Sequence, residues 1–320
     1  MNSPQTKSSL AMSIKRLPFL LGTTVITTLL PLTSVGLVDV WAANLVGTPG
    51  PDTLIGTNSD DNIYGLGGND NLNGRGGNDN IYGQDGRDTI DDGLGRDNVF
   101  AGSGDDTIKL RGTGEGKITG AQDVVYGESG KDHIDARNSE ASLLLIYAGD
   151  DNDVIEIGDG LNQGTIYAGS GDDRVTTGDA VFDVYAGPGN DYLNGASECG
   201  IVHAFGEAGN DRIISPIGLV RGGDGDDYIE YRDCGGVAYG DAGNDELIGA
   251  GDDHTELHGG SGNDRLRAGI SGDKLFGDSG DDTLIGVEGP TFFSCGPGID
   301  TIIGFNPAEG DTKTADCENF

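Results

Sequence analysis

From Gly47 to Lys109 a branched aliphatic residue recurs at every ninth position, as Leu54, Ile63, Leu72, Ile81, Ile90, Val99 and Ile108. Two places before each stands an aspartate: Asp52, Asp61, Asp70, Asp79, Asp88, Asp97 and Asp106. The unit Gly65-Leu66-Gly67-Gly68-Asn69-Asp70-Asn71-Leu72-Asn73 shows the division of labour, six turn-forming residues followed by three that can extend. Glycine permits positive φ, and Asn and Asp tolerate tight turns. Residues of a strand alternate faces, so the pattern predicts a short strand in each unit with Leu72 inward and Asn71 and Asn73 outward. A unit this short buries too little to fold alone; successive units must stack as a solenoid.

These residues resemble the glycine-rich nonapeptide G-G-x-G-x-D-x-U-x of RTX, or haemolysin-type, calcium-binding proteins. The resemblance implies an all-β fold, a right-handed parallel β-roll in which two nonapeptides make one coil. It further implies calcium between turns stacked one coil apart, held by sixth-position carboxylates and turn carbonyls. Asp52 and Asp70 would then serve one edge of the roll, and Asp61 and Asp79 the other. The donor chemistry is independently consistent: a hard cation takes roughly 6 to 8 oxygens at about 2.3 to 2.6 Å, whereas zinc or copper favours imidazole or thiolate.

Beyond Lys109 the period changes. Strong turns recur at Gly127 to Asp132, Ala148 to Asp153, Ala168 to Asp173, Ala186 to Asp191, Gly206 to Asp211, Gly222 to Asp227, Gly240 to Asp245, Gly259 to Asp264, Gly277 to Asp282 and Cys295 to Asp300. Their starts are mostly 18 to 20 residues apart, about one coil. Segments between them, such as Thr177 to Tyr185 and Tyr231 to Tyr239, keep a strand pattern without an aspartate in register. One edge is therefore expected to keep its metal column throughout. The other is expected to lose it, with Asp123 and Asp273 rescuing isolated turns.

Composition narrows the function. Glycine supplies 59 of 320 residues, but on a nine-residue period, which excludes collagen. The chain has 54 acidic and 19 basic residues; without its first 42 residues, which hold Asp39, Lys7, Lys15 and Arg16, 53 acids and 16 bases remain, a net charge of -37. Such a surface repels nucleic acid and anionic membrane and attracts divalent cations. Uncompensated aspartates repel one another, so the apo chain is expected to be unfolded or loosely collapsed and to order on binding calcium. Acid near the ordinary carboxylate pKa of about 4 is expected to release the metal.

Lys7, Lys15 and Arg16 precede an uncharged apolar run from Leu17 to Val38, and Val40-Trp41-Ala42 offers a small-residue cleavage site before Ala43. Residues 1–42 read as a secretory signal peptide, with an uncleaved anchor as the alternative. Residues 43–109 are then regular repeats, 110–294 an irregular continuation, and 295–320 the last repeat and a cap. All four cysteines follow the signal, as suits an oxidising compartment and a secreted or cell-surface protein. Cys295-Gly296-Pro297-Gly298-Ile299-Asp300-Thr301 with Asp316-Cys317-Glu318 resembles the closing segment of secreted bacterial RTX proteins, which implies a Cys295–Cys317 disulfide over the last coil. Cys199 and Cys234 sit about two coils apart, and their pairing stays open.

Other constellations are weaker. His254, Glu256 and His258 alternate and on a strand could grip zinc, although an exposed polar strand edge is the plainer reading. Gly112-Thr113-Gly114-Glu115-Gly116-Lys117 lacks the spacing and following hydroxyl of a phosphate loop and reads as a coil insertion. There is no Gly-x-Ser-x-Gly elbow and no His-Glu-x-x-His, so no catalytic residue is assigned and an enzyme is not expected. Tyr64, Tyr82, Phe100, Tyr126, Tyr147, Tyr167, Tyr185, Phe205, Tyr239 and Phe276 all fall at the outward ninth position, predicting an aromatic ladder that stacks ring on ring or engages a partner. Three classes follow: a secreted calcium-binding β-roll with a structural, adhesive or envelope-associated role; a module binding a cell-surface or matrix polysaccharide or a protein; and a calcium-dependent enzyme on an extracellular polymer, acting through loops 110–124, 135–146 or 195–204. The first is favoured.

Overall fold

The computed structural model describes residues 42–112, 122–139, 143–159, 163–178, 181–195, 201–215, 218–232, 235–249, 254–270 and 272–317. Strands alternate along the chain between two parallel sheets, one of 15 strands running from Asn44–Val46 to Thr312–Lys313 and one of 14 from Thr53–Ile55 to Thr301–Ile303. A strand and its parallel neighbour need a crossover. Here the crossover is a strand of the opposite sheet, so the period of 18 residues becomes the sheet register: Leu54 pairs with Leu72, Leu72 with Ile90, and Ile90 with Ile108. The expected β-solenoid is the fold.

The inward aliphatics meet in the space between the sheets. Ile63, Leu72, Ile81, Ile90, Val99 and Ile108 are fully buried, and Asn71–Asn73 shows the predicted exposed, buried, half-buried alternation. The first described coil is looser: Leu45 and Leu54 are only partly buried and Val46 and Ile55 are exposed.

Stacking turns on a single coil spacing brings backbone against backbone at the fourth position of each unit. Gly262 has φ +136°, and a Cβ there would lie 1.6 Å from the carbonyl oxygen of Gly243, one coil earlier. Gly262→Ala is therefore expected to destabilise the calcium-loaded roll by about 3 kcal/mol, read as a lowered Tm in calorimetry. The second position is also left-handed: Gln84, at φ +78°, keeps an exposed side chain, whereas a Cβ on Gly102 one coil later would lie 2.0 Å from the Gln84 carbonyl oxygen.

The middle coils are built differently. Strands of the larger sheet lengthen from six residues, as in Asn80–Asp85, to eight, as in Leu143–Asp150 and Val181–Pro188. Those of the smaller sheet lengthen from three to four, and the fourth residue turns inward as Ala136, Ile157, Thr177 or Tyr231, all buried. On this edge Leu144 pairs with Asp123, Gly164 with Leu144, and Phe182 with Gly164. The aspartate column thus gives way to an apolar filling. A Cβ on Gly164 would meet the Phe182 ring at 2.7 Å, and one on Gly236 the Tyr231 ring at 2.8 Å, so glycine makes room for each ring. The Tyr231 hydroxyl donates to the Gly218 carbonyl at 2.7 Å.

The last coil is closed. Asn306 caps a 3-10 turn at Pro307–Glu309, after which Thr312–Lys313 pairs with Phe292–Ser294. Cys295 and Cys317, both buried, form the expected disulfide. A cross-link across 22 residues contributes about 3 kcal/mol in the loop-entropy account. The double variant Cys295→Ser/Cys317→Ser is expected to speed hydrogen exchange at 292–294 and 312–313 and to leave 80–85 unchanged. Cys199, Cys234, residues 113–117 and the proposed signal through Trp41 lie outside the described residues.

Candidate metal centre

Each sixth-position aspartate ends a turn at a corner of the roll. Its backbone N–H donates to Oδ1 of the aspartate one coil later, so the carboxylates form a hydrogen-bonded column. The long column runs through Asp52, Asp70, Asp88, Asp106, Asp132, Asp153, Asp173, Asp191, Asp211, Asp227, Asp245, Asp264, Asp282 and Asp300, with links of 2.7 to 2.9 Å. The opposite edge carries a short column of Asp61, Asp79, Asp97 and Asp123. It stops where the apolar filling begins, and Asp123 continues it across the 110–121 insertion, as expected. The structure therefore brings together all the aspartates of the repeat pattern, in two columns of unequal length.

From Asp70 to Asp282 in the long column, and from Asp79 to Asp123 in the short one, one oxygen of the carboxylate is thereby satisfied; the other is not. Oδ2 of Asp70, Asp88, Asp106, Asp132, Asp153, Asp173, Asp191, Asp211, Asp227, Asp245, Asp264 and Asp282, and of Asp79, Asp97 and Asp123 in the short column, is buried without a hydrogen-bond partner. Leaving a buried polar atom unpaired is costly. Where the unit opens on glycine, at Gly65, Gly74, Gly83, Gly127, Gly206, Gly222, Gly240, Gly259 and Gly277, this oxygen faces a carbonyl of the next coil across the bare Cα, whereas the units of Asp106, Asp153, Asp173 and Asp191 open on alanine. A Cβ on Gly65 would lie 2.3 Å from Asp70 Oδ2 and 2.7 Å from the Gly83 carbonyl oxygen; one on Gly206 would lie 2.2 Å from Asp211 Oδ2 and 2.4 Å from the Gly222 carbonyl oxygen. The repeat leaves an oxygen-lined cradle there. Among the described residues no three His, Cys, Asp or Glu side chains converge on a single point, so backbone carbonyls must complete any shell. An oxygen-only set of carboxylate and carbonyl suits a hard divalent cation and fits calcium.

Burial acts on these carboxyls electrostatically. Removal from water, and after it the charges of neighbouring aspartates, pushes Asp97, Asp153 and Asp227 up to about 8. Burial likewise lifts Asp79, Asp106, Asp132, Asp191 and Asp282 to about 7. Asp88, Asp123, Asp173, Asp211, Asp245 and Asp264 reach about 6 for the same leading reason. Protons thus compete for these oxygens close to neutrality, well above the carboxylate range near 4 read from sequence, because that value belongs to a solvated group.

The column ends differ from its middle. Oδ2 of Asp52 and of Asp61 accepts the backbone N–H of Thr48 and of Thr57 respectively. Asp273 accepts from the Thr255 and Gly269 N–H groups, and Asp311 from those of Thr291 and Asn306. Asp273 does close its turn, but by hydrogen bonds to both oxygens.

Two features escape the repeat pattern. Asp92 stands where the other regular units have glycine or alanine, is fully buried, accepts the Arg111 N–H at 2.9 Å on Oδ1 and leaves Oδ2 unpaired. Fifth-position side chains form a second, exposed ladder, in which Asp172 accepts the N–H of Asn190, Asn190 that of Asn210, and Asn210 that of Asp226. The Asn or Asp that precedes most sixth-position aspartates was the available signal.

The aromatic ladder is present. Rings from Tyr64 to Phe205 stack at centroid distances of 4.8 to 5.0 Å and within 11° of parallel. Arg221 takes the next rung, its guanidinium 4.4 Å from the Tyr239 ring, and His258 stacks between Tyr239 and Phe276. The imidazole also pairs with Glu256 at 3.1 Å and Asp278 at 3.4 Å, while His254 precedes the strand Glu256–Ser261. The zinc reading of His254, Glu256 and His258 gains no support. Stacked rings turn their faces to one another, which favours ring-on-ring stabilisation.

A family model described as the RTX calcium-binding nonapeptide repeat (4 copies) matches residues 46–81, 73–108, 119–138, 165–180, 237–254 and 256–290. No curated protein matches the chain. The matched segments cover the regular block and return along the long aspartate column, where the cradles lie. The chain belongs to the RTX calcium-binding nonapeptide-repeat family.

Proposed function

We propose that the chain is a secreted β-roll that folds on binding calcium and serves a structural, adhesive or envelope-associated role without catalysis. The observation that carries the reading is the run of buried Oδ2 atoms lacking a hydrogen-bond partner, which in the units opening on glycine face a carbonyl of the next coil. A divalent cation would satisfy both oxygens and offset the mutual repulsion of the aspartates. The ligands proposed are Asp52, Asp61, Asp70, Asp79, Asp88, Asp97, Asp106, Asp132, Asp153, Asp173, Asp191, Asp211, Asp227, Asp245, Asp264, Asp282 and Asp300 with first-position carbonyls. The leader of residues 1–42 supports export, and the disulfide suits the oxidising compartment it leads to.

Native mass spectrometry of the chain from Ala43 with and without calcium tests this. Roughly a dozen calcium ions per chain are expected. Fewer than half that number would confine metal to the regular repeats and remove calcium as the support of the long column.

A further inference from the structure

We infer that the outer face of the smaller sheet, between Arg174 and Arg267, binds an acidic polysaccharide. This deepens the adhesive, envelope-associated reading and rests on it for the folded, calcium-loaded roll. The first outward residue of successive strands reads Arg174, Tyr192, Arg212, Tyr228, Glu246, Arg265, each paired in register with the next. The Arg174 guanidinium carbon lies 4.4 Å from the Tyr192 ring centroid and that of Arg212 lies 4.0 Å from Tyr228. A guanidinium laid flat on a ring is held in place while its N–H fork points along the surface, a donor arrangement that matches carboxylate and sulfate. All three column arginines are exposed, and so is the adjacent Arg267.

The ion pairs on this face are loose. Arg212 stands 3.8 Å and Arg232 3.9 Å from Glu230, and Arg265 3.5 Å from Glu246. Charge-assisted hydrogen bonds close to about 2.7 to 2.9 Å, so the forks keep donors for a ligand. The chain has 54 acids and 19 bases, yet five of those bases, Arg174, Arg212, Arg232, Arg265 and Arg267, gather here against Glu230 and Glu246. The patch is opposite in sign to the molecule, and its complement is an anion. Strands about 4.8 Å apart place Arg174 and Arg212 about 9.5 Å apart and Arg212 and Arg265 about 14 Å apart along the roll. Those intervals suit a straight polymer bearing one acid per sugar or fewer. A nucleic acid, with a charge at about every 1.7 Å, would meet the surrounding carboxylates at every step.

The test is calorimetric titration of the calcium-loaded chain with a polygalacturonate oligosaccharide too short to gel, and with neutral dextran of equal length. Binding of the acidic oligomer alone is expected, weakening with salt. Arg174→Gln/Arg212→Gln is expected to weaken it about tenfold. Tyr192→Leu/Tyr228→Leu keeps every charge and should weaken it severalfold by freeing the forks. Arg75→Gln/Arg87→Gln, the same charge change on the turns, should stay within twofold. No binding of the oligomer, equal binding of dextran, or equal loss in the turn variant would overturn the inference. Circular dichroism of each sample separates the causes: a folded roll that does not bind removes this inference alone, whereas a chain unordered in calcium removes the reading beneath it.

Discussion

Chelation of calcium near neutral pH is expected to abolish most of the far-UV β signal, and restoring calcium to return it cooperatively. Ions that bind only the folded roll add about 2.7 kcal/mol per site at a hundredfold excess over Kd, and the proposed sites repeat along the long column. In the ion-free roll the same carboxyls work against folding. Burial raises Asp97, Asp153 and Asp227 to about 8 and their neighbours to between about 6 and 7, against about 3.9 in an unfolded chain. Folding without metal therefore takes up protons. The stability of that state is fully present below about pH 4 and is lost as pH rises through the folded values. A chelated sample should consequently be more ordered near pH 5 than near neutrality, while the calcium midpoint of an unchelated sample moves to higher calcium over the same acidification. Full β signal in chelator near neutral pH would overturn calcium-dependent folding; a chelated sample that loses order on acidification would overturn the proton linkage.

The regular coils were legible from sequence because each position there has one job. An inward Leu72, an outward Tyr64 and a corner Asp70 follow from period alone once the strand repeat of two is laid on a unit of nine. The unequal columns were legible too, since aspartate drops out of register on one edge after Asp97. What replaces it was not. Leu144, Ile157, Phe182 and Tyr231 belong to strands lengthened by one or two residues, and no short-range pattern says that a longer strand will turn its extra residue inward. Arg221 and His258 were missed as ladder rungs because a planar cation stacks as a ring does but does not look aromatic in a sequence. Asp92 puts an acid where the other regular units have glycine or alanine, and only its burial distinguishes it from the many exposed acids nearby.

The two edges of the middle coils thus solve one packing problem twice. The long column leaves buried oxygens unpaired and, in the proposed function, takes an ion there; the facing edge fills the same corner with side chains. Phe182 is fully buried, and Phe182→Ala is expected to cost about 3 to 5 kcal/mol at any calcium concentration. A defect in the column should instead be relieved by raising calcium.

Asp227→Asn makes that contrast sharpest, because its sign is expected to invert. Asp227 Oδ1 accepts the Asp211 N–H at 2.7 Å, and Oδ2 faces the Gly240 carbonyl across Gly222. An amide has the same shape. Its oxygen keeps the bond to Asp211, and its N–H₂ can donate to the carbonyl that the carboxylate could only repel. Without metal the substitution removes a buried group pushed up to about 8 and flanked by Asp211 and Asp245, so near neutral pH the chelated variant should be more ordered than the parent by about 1 to 3 kcal/mol. With metal it removes the anionic ligand from one cradle and directs a donor at the ion. The loaded variant should hold one or two fewer calcium ions in native mass spectrometry and melt lower, by about 2 to 4 °C per kcal/mol lost. A variant less stable than the parent in both chelator and calcium would mean that Asp227 supports the turn by hydrogen bonding alone, and the cradles would then lose their claim as ion sites.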